Sequence, residues 1–285
     1  MKYDYLTSES INQFIDRALQ EDVGEGDHSS LSAVPAHAVR KARLLVKEDC
    51  VLAGVTLAER IFKRVNPELQ LNIAISDGTE VKKGEVAFVV AGKAQSILTA
   101  ERLVLNCMQR MSAIATQTRK AVNALAGTKT KVLDTRKTTP NFRLMEKWAV
   151  KIGGGENHRF GLFDMIMLKD NHIDYAGGVS NAIKAAIAYK EKIGKDLRIE
   201  VETRNLEEVR EAMQVGRIEV IMLDNMSLEM MKEAVKLIDG KYLTEASGGL
   251  QLADLPAVAA CGVDFISMGA LTHSAKAVDL SLKAF

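Results

Sequence analysis

The chain has 285 residues, 47% of them hydrophobic, with 38 basic against 37 acidic side chains and a net charge of +1. Such a length exceeds the usual single domain and holds enough apolar residues for a sizeable core, so two domains, or one barrel with an extension, are expected. The balanced charge excludes the broad basic face of a general nucleic-acid binder, which leaves anion recognition as something local.

In chain order, ESINQFIDRALQ (Glu9–Gln20) places Ile11, Phe14, Ile15 and Leu19 on one helical face. The stretch EDVGEGDHSS then reads as a loop; it lacks the lysine and the preceding apolar strand of a phosphate loop. Val39–Gly54 reads as strand and Thr56–Val65 as a short helix stopped by Pro67, with further strands at Leu69–Ile75 and Val86–Val90. Leu98–Leu125 is expected as a long helix that buries Leu103, Leu105, Met108, Met111, Ile114 and Ala115 and carries Arg102 in its first turn. Taken from the residues alone, Glu101 and Arg102 read as a solvated surface pair.

Beyond Gly127 the rhythm becomes regular. Apolar runs at Lys131–Asp134, Met165–Lys169, Arg198–Glu202, Glu219–Asp224, Tyr242–Glu245 and Asp264–Met268 alternate with helical segments at Phe142–Ile152, Ser180–Lys192, Leu206–Val215, Leu228–Ile238 and Gln251–Ala260. Asn205 and Ser227 are expected N-caps, and Gly216 and Gly240 expected stops. This alternation predicts a parallel α/β sheet, open or closed into a barrel. The division expected is an N-terminal α+β domain over 1–113 and a barrel domain over 114–285, with the extreme C-terminus free to pack back on the first.

The carboxyl ends of the six runs are polar or glycine: Thr135–Arg136–Lys137, Lys169–Asp170–Asn171, Glu202–Thr203, Asp224–Asn225, Ser247–Gly248–Gly249 and Gly269–Ala270. Ligand sites of α/β sheets and barrels lie at such ends. Arg136, Lys137, Arg159 and Lys169 suit a ligand with several negative charges, since arginine offers a planar fork and lysine a point charge. Arg143 and Lys147 read as solvated. Glu202 and Asp224 suit Mg²⁺, or positive charge developing on carbon, or a buried salt bridge to Lys169 or Arg136. The glycine turns after the last two runs let backbone N–H groups approach a phosphate, and His273 follows closely. No HExxH helix, CxxC pair, Walker loop or GxSxG elbow is present. Cys50, Cys107 and Cys261 have neither metal nor redox spacing, and the polar start MKYDYLTSES lacks an apolar signal core. A soluble, cytoplasmic protein with reduced thiols is therefore expected.

The segments TAERLVLNCMQRMSAIAT, DTRKTTPNFRLMEKWAVKIGGGENHRFGLFD, LKDNHI, EVET, LDNM, EASGG and MGALTHS together resemble the quinolinate phosphoribosyltransferase family, in order over nearly the whole chain. The resemblance implies a type II phosphoribosyltransferase. Its N-terminal α/β sandwich-like domain would be followed by an incomplete α/β barrel of about six parallel strands. The reaction implied converts quinolinate and 5-phosphoribosyl 1-diphosphate (PRPP) to nicotinate mononucleotide, pyrophosphate and CO₂ in NAD biosynthesis, with Mg²⁺ and a homodimer that shares active sites. Carried over by motif, Arg102 (from a second chain), Arg136 and Arg159 would clamp the two carboxylates with Thr135, Lys137 and His158 nearby. Lys169 would lie between the two substrates. Glu202 and Asp224 would face ribose and metal. Ser247, Gly248, Gly249, Met268, Gly269, Ala270 and His273 would surround the 5-phosphate. The catalytic set implied is Lys137, Lys169, Glu202 and Asp224. Asn141 stands where the family usually has glycine; asparagine tolerates left-handed backbone, so the turn is expected to persist. The competing readings are a related enzyme acting on nicotinate, the molybdenum-utilisation paralogue, or a non-catalytic sensor of a phosphoribosyl metabolite. Three arginines favour a dicarboxylate, and the two acids argue against a sensor.

Overall fold

The computed structural model describes residues 5–285, which fall into two compact units. The first takes in the chain up to Arg119, together with Thr138–Gly154 and Leu271–Phe285; the second takes in Lys120–Lys137 and Gly155–Ala270. The chain thus passes between units more often than one division at 113/114 implies.

In the first unit α1 (Ser8–Asp22) starts at Thr7, whose side chain accepts the Ser10 N–H, and buries Ile11 and Ile15. The expected loop after it contains a second helix, α2 (His28–Ala33). Asp27 caps this helix by accepting the Ser30 N–H at 3.0 Å; an acidic residue before a short polar run was the sign of it. β1 (Val39–Val46), β2 (Cys50–Val51), α3 (Val55–Val65), β3 (Gln70–Ile73), β4 (Glu80–Val81) and β5 (Val86–Lys93) follow, so the run expected as one strand over 39–54 is broken into two. The C-terminal strand Leu280–Ala284 adds to β1, giving an antiparallel sheet in the order C-terminal strand, β1, β5, β3. The long helix α4 (Ala94–Ala124) buries the apolar positions its periodicity marks, from Leu103 to Ala115, and leaves Arg102 exposed.

The helix α5 (Arg143–Ile152) belongs to this unit because of one buried acid. Glu146 is fully buried, accepts Arg110 Nε and Nη2 at 3.0 and 2.9 Å, and accepts the Thr139 N–H and hydroxyl at 3.1 and 2.9 Å. Arg110 in turn donates to the carbonyls of Thr272 and Ala275, so one ion pair ties three separate pieces of chain. Glu146→Ala should therefore destabilise the protein by about 3 kcal/mol, the usual penalty for stranding one partner of a buried pair, measured by urea unfolding. Lys147, expected to be solvated, is also fully buried, and Arg143 donates to Thr138 Oγ1 at 2.9 Å. Both corrections have one cause: α5 turns most of its surface inward. Asn141 holds φ at +61°, the left-handed turn that its residue type allows.

The second unit is a sheet of six parallel strands, β6 (Lys131–Leu133), β7 (Ile166–Leu168), β8 (Ile199–Thr203), β9 (Val220–Asp224), β10 (Leu243–Ser247) and β11 (Phe265–Ser267), ordered β6-β11-β10-β9-β8-β7. The helices α6 (Asp170–Ala176), α7 (Val179–Ile193), α8 (Leu206–Val215), α9 (Leu228–Ile238) and α10 (Leu255–Ala259) connect them. Asn205 and Ser227 cap α8 and α9 by accepting the Glu208 and Met230 N–H groups. At the far end of α9, Asp239 rather than Gly240 is the cap residue and takes the left-handed conformation, φ +48°. The helix α6 was not expected; it begins directly on the strand-end lysine, where a run of polar residues hid a short helix. Residues following both edge strands, β6 and β7, line one cavity, so the sheet curls into an incomplete barrel. Among the described residues no helix is long and apolar enough to cross a membrane, and the three cysteines are buried thiols.

Candidate active site

Strand register explains which side chains meet. Across β8, β9 and β10, Glu202, Met222 and Glu245 stand in one row. Side chains two residues apart share a face, so Glu200, Asp224 and Ser247 point the same way. Met167 pairs with Glu200 from β7, and Met165, Met167 and Met222 cluster as a buried apolar floor. Above this floor lies a cavity of about 310 Å³ in the second unit.

Thr135, Arg136, Lys137, His158, Arg159, Lys169 and Ser247 line that cavity, as the sequence places them, and Met167, Met222, Glu245 and Ser267 join them. The Lys137 N–H donates to Thr135 Oγ1 at 3.1 Å, which turns the chain sharply after β6. Asp134, fully buried, fixes the opposite wall: it accepts Asn157 Nδ2 at 2.6 Å and the His158 N–H at 2.9 Å. Burial and the adjacent Arg136 charge both pull the Arg159 guanidinium below its ordinary range, which places two guanidiniums over the same space. An arginine still carries its charge in such a setting. The pair would be relieved by an anion with two binding edges.

The acidic side lies at neighbouring strand ends. Glu202 is 6% exposed; its Oε2 is 3.7 Å from Lys169 Nζ, and its Oε1 accepts the Asp170 N–H at 3.4 Å. Burial, then the charge of Asp224, push the Glu202 carboxyl above the usual range. Two carboxylates that repel each other at a pocket mouth form a donor set suited to a hard divalent cation. Asp224 Oδ2 accepts Asn225 Nδ2 at 2.6 Å, and Asn225 sits in left-handed backbone, φ +53°. Beside it Gly248 has φ +109°, and a Cβ there would lie 2.3 Å from Asn225 Oδ1. Gly249 is likewise left-handed at φ +59°. Met268 is buried and donates its N–H to the Leu133 carbonyl, and Gly269 and Ala270 follow it out of β11.

Arg102 and His273 belong to the first unit: Arg102 lies on α4, and His273 ends the short helical turn Ala270–His273 with Nδ1 2.8 Å from Ser274 Oγ. Among the residues the sequence reading passed over, Asp134, Glu200 and Glu245 matter most. The charged residue inside each aliphatic run, as in IEVET and LTEAS, was the available sign.

His158 links the two kinds of residue. Its Nε2 lies 3.1 Å from Glu200 Oε2 and 3.4 Å from Glu245 Oε2, while Nδ1 accepts the Arg159 N–H at 2.7 Å. Burial pulls the imidazole down, but the two carboxylates outweigh it and push it up to about 10. The Arg159 bond opposes that second proton, because a protonated Nδ1 cannot accept. The ring proton therefore sits on Nε2. The further proton that the trio draws in rests on the carboxylate pair, where burial and the charge of Glu245 hold the Glu200 carboxyl above its usual range.

Fold and site together define a parallel α/β-barrel protein with a cationic and an acidic half at the carboxyl ends of its strands, the class that holds anionic small molecules there. Residues 27–112 match the model of the quinolinate phosphoribosyl transferase N-terminal domain, and residues 114–283 match that of its C-terminal domain. The chain belongs to the quinolinate phosphoribosyltransferase family. It is 48% identical over 284 residues to quinolinate phosphoribosyltransferase (decarboxylating) 1b of Nicotiana tabacum, covering 94% of this chain and 81% of that protein. It is 47% identical over 281 residues to the chloroplastic nicotinate-nucleotide pyrophosphorylase (carboxylating) of Arabidopsis thaliana, covering 93% and 80%. Among solved structures, NadC from Streptococcus pyogenes superposes with a TM-score of 0.91 at 42% identity, covering 98% of this chain and 97% of that one.

Proposed function

We infer that this chain is a decarboxylating quinolinate phosphoribosyltransferase that makes nicotinate mononucleotide, pyrophosphate and CO₂ from quinolinate and PRPP, a step of NAD biosynthesis. The observation that carries the reading is the division of one cavity between the crowded arginines Arg136 and Arg159 and the paired acids Glu202 and Asp224, with Lys169 between them.

In this reading Arg136 and Arg159, with Thr135, Lys137 and His158 beside them, take the two adjacent carboxylates of the pyridine. Lys169 stands where the substrates meet. The turns Ser247–Gly249 and Met268–Ala270 receive the 5-phosphate through backbone N–H groups, and His273 lies just beyond the second. As pyrophosphate departs, positive charge grows on the ribose carbon, and Glu202 and Asp224 stabilise it across a short, dry distance. Mg²⁺ held by Glu202 and Asp224 with the substrate phosphates would neutralise the charge gathering on the leaving group. The pyridine nitrogen, held in line by the arginines, then bonds to that carbon. The resulting pyridinium draws in the electron pair of the bond to the neighbouring carboxylate, which leaves as CO₂, and the ring carbon takes a proton.

A homodimer belongs to the same proposal, with the exposed Arg102 of one copy completing the pocket of another. A cytoplasmic location also belongs to it, supported by three cysteines left as thiols. Mixing an Arg102→Ala protein with a Lys169→Ala protein should restore activity, up to about a quarter of the sites under random exchange, because one mixed pocket is intact. No recovery despite confirmed subunit exchange would refute the shared pocket. The reaction itself is tested by supplying Mg²⁺, PRPP and either quinolinate or nicotinate. Product and CO₂ from quinolinate alone are expected; product from nicotinate, or none from quinolinate, would overturn the assignment.

A further inference from the structure

The most heavily buried charge in the second unit lies under the pocket, away from the proposed chemistry. Glu200 and Glu245 are each 1% exposed, and both direct one carboxylate oxygen at the same hydrogen of His158. The other oxygen of each, Glu200 Oε1 and Glu245 Oε1, is buried and accepts no hydrogen bond from the described residues. Burying two acids around one N–H is expensive, so the arrangement calls for a use. A metal between them would have to displace the Nε2 proton, and the Arg159 N–H at Nδ1 leaves the ring nowhere else to carry it.

We propose that Glu245 and Glu200 are positioning residues for binding the pyridine dicarboxylate: they clamp His158 from below and so fix the angle at which the next residue, Arg159, enters the pocket. The chain of contacts is continuous. Glu245 and Glu200 hold Nε2; the ring then holds the Arg159 N–H; Asp134 holds the His158 N–H from the other side. With both neighbours locked, the Arg159 guanidinium has one route, toward Arg136. None of these contacts reaches the acidic half, so the clamp acts on one substrate only. This inference rests on the reaction proposed above.

The test compares Glu245→Gln, Glu245→Ala and Glu200→Gln with the wild type in steady-state kinetics for each substrate, together with nitrogen-15 spectra of the His158 ring. For Glu245→Ala, KM for quinolinate should rise about tenfold, the loss expected for a hydrogen bond to a charged group. KM for PRPP should stay within about twofold of wild type, and Glu245→Gln, which keeps an oxygen at Nε2, should fall between the two. Equal rises in both KM values, or no change in either, would overturn the proposal and leave the acids a purely structural role. In the spectra, the wild-type ring should show a bare Nδ1 and a protonated Nε2 around neutral pH, and Glu245→Ala should lose that pattern. An ordinary freely titrating ring in the wild type would refute the clamp. If the wild type makes no product from quinolinate, the reaction assignment fails, while the spectra still decide whether the clamp exists.

Discussion

Arg136→Ala should lower kcat/KM for quinolinate roughly a hundredfold or more, because two charge-assisted hydrogen bonds of about 1.5–3 kcal/mol each are lost from the transition state as well as the ground state. The melting temperature should move by no more than about 3 °C, since Arg136 sits at a strand end over a cavity rather than in the core. The informative comparison is Arg136→Lys. Lysine restores the charge but not the planar fork, so recovery of only part of the loss separates two-pronged carboxylate recognition from simple electrostatic attraction. Full recovery would mean that charge alone is read. Removing a cation here also relieves its repulsion with Arg159, so the free protein should not become less stable even as binding collapses. Differential scanning calorimetry alongside the kinetics checks both halves of that expectation.

Gly248→Ala should cut kcat/KM for PRPP roughly a hundredfold, the scale on which a displacement of about an ångström at a reacting site acts. A Cβ at this position would lie 2.3 Å from Asn225 Oδ1, 2.5 Å from its Cγ and 2.8 Å from its backbone N, and the backbone already has φ +109°. Something must move, and Asn225 is the residue that holds Asp224 Oδ2 at 2.6 Å. The substitution therefore disturbs the phosphate turn and the carboxylate together. Trimming the amide with Asn225→Ala should not rescue it, because the backbone nitrogen of Asn225 is one of the obstructing atoms. Quinolinate binding, measured by calorimetry in the absence of PRPP, should change little, as the arginines stand on other strand ends. Equal damage to both substrates would show that the turn supports the whole pocket and not one half of it.

Much of the architecture was legible before any coordinates. Apolar runs separated by helical periods identified all six parallel strands, and the Asn205 and Ser227 caps fell where side-chain chemistry requires them. The errors have physical sources. α2 and α6 are too short for a helical period to show, and Asp239 took a left-handed cap that glycine usually fills. Lys147 was misjudged because a lysine normally stays in water, yet here α5 is turned inward around Glu146. The strand-end rule found the cations, the acids and the glycine turns, since each is polar where its neighbours are aliphatic. It could not find that Glu200 and Glu245 share one histidine.

By itself the sequence determined the six-strand alternation, the polar carboxyl ends and the motif series that places the chain in its family. Those depend on local periodicity and on residue type, which are written along the chain. Only the tertiary structure decided which of those ends face one another. The order β10-β9-β8 brings Glu245 and Glu200 to either side of β9, and the loop after β6 carries His158 between them. Contacts between residues so far apart in the chain follow from strand order and curl, which many sequences with the same pattern of runs could satisfy in different ways. The anion pocket was readable from its ends; the buried acids that brace it needed the folded sheet.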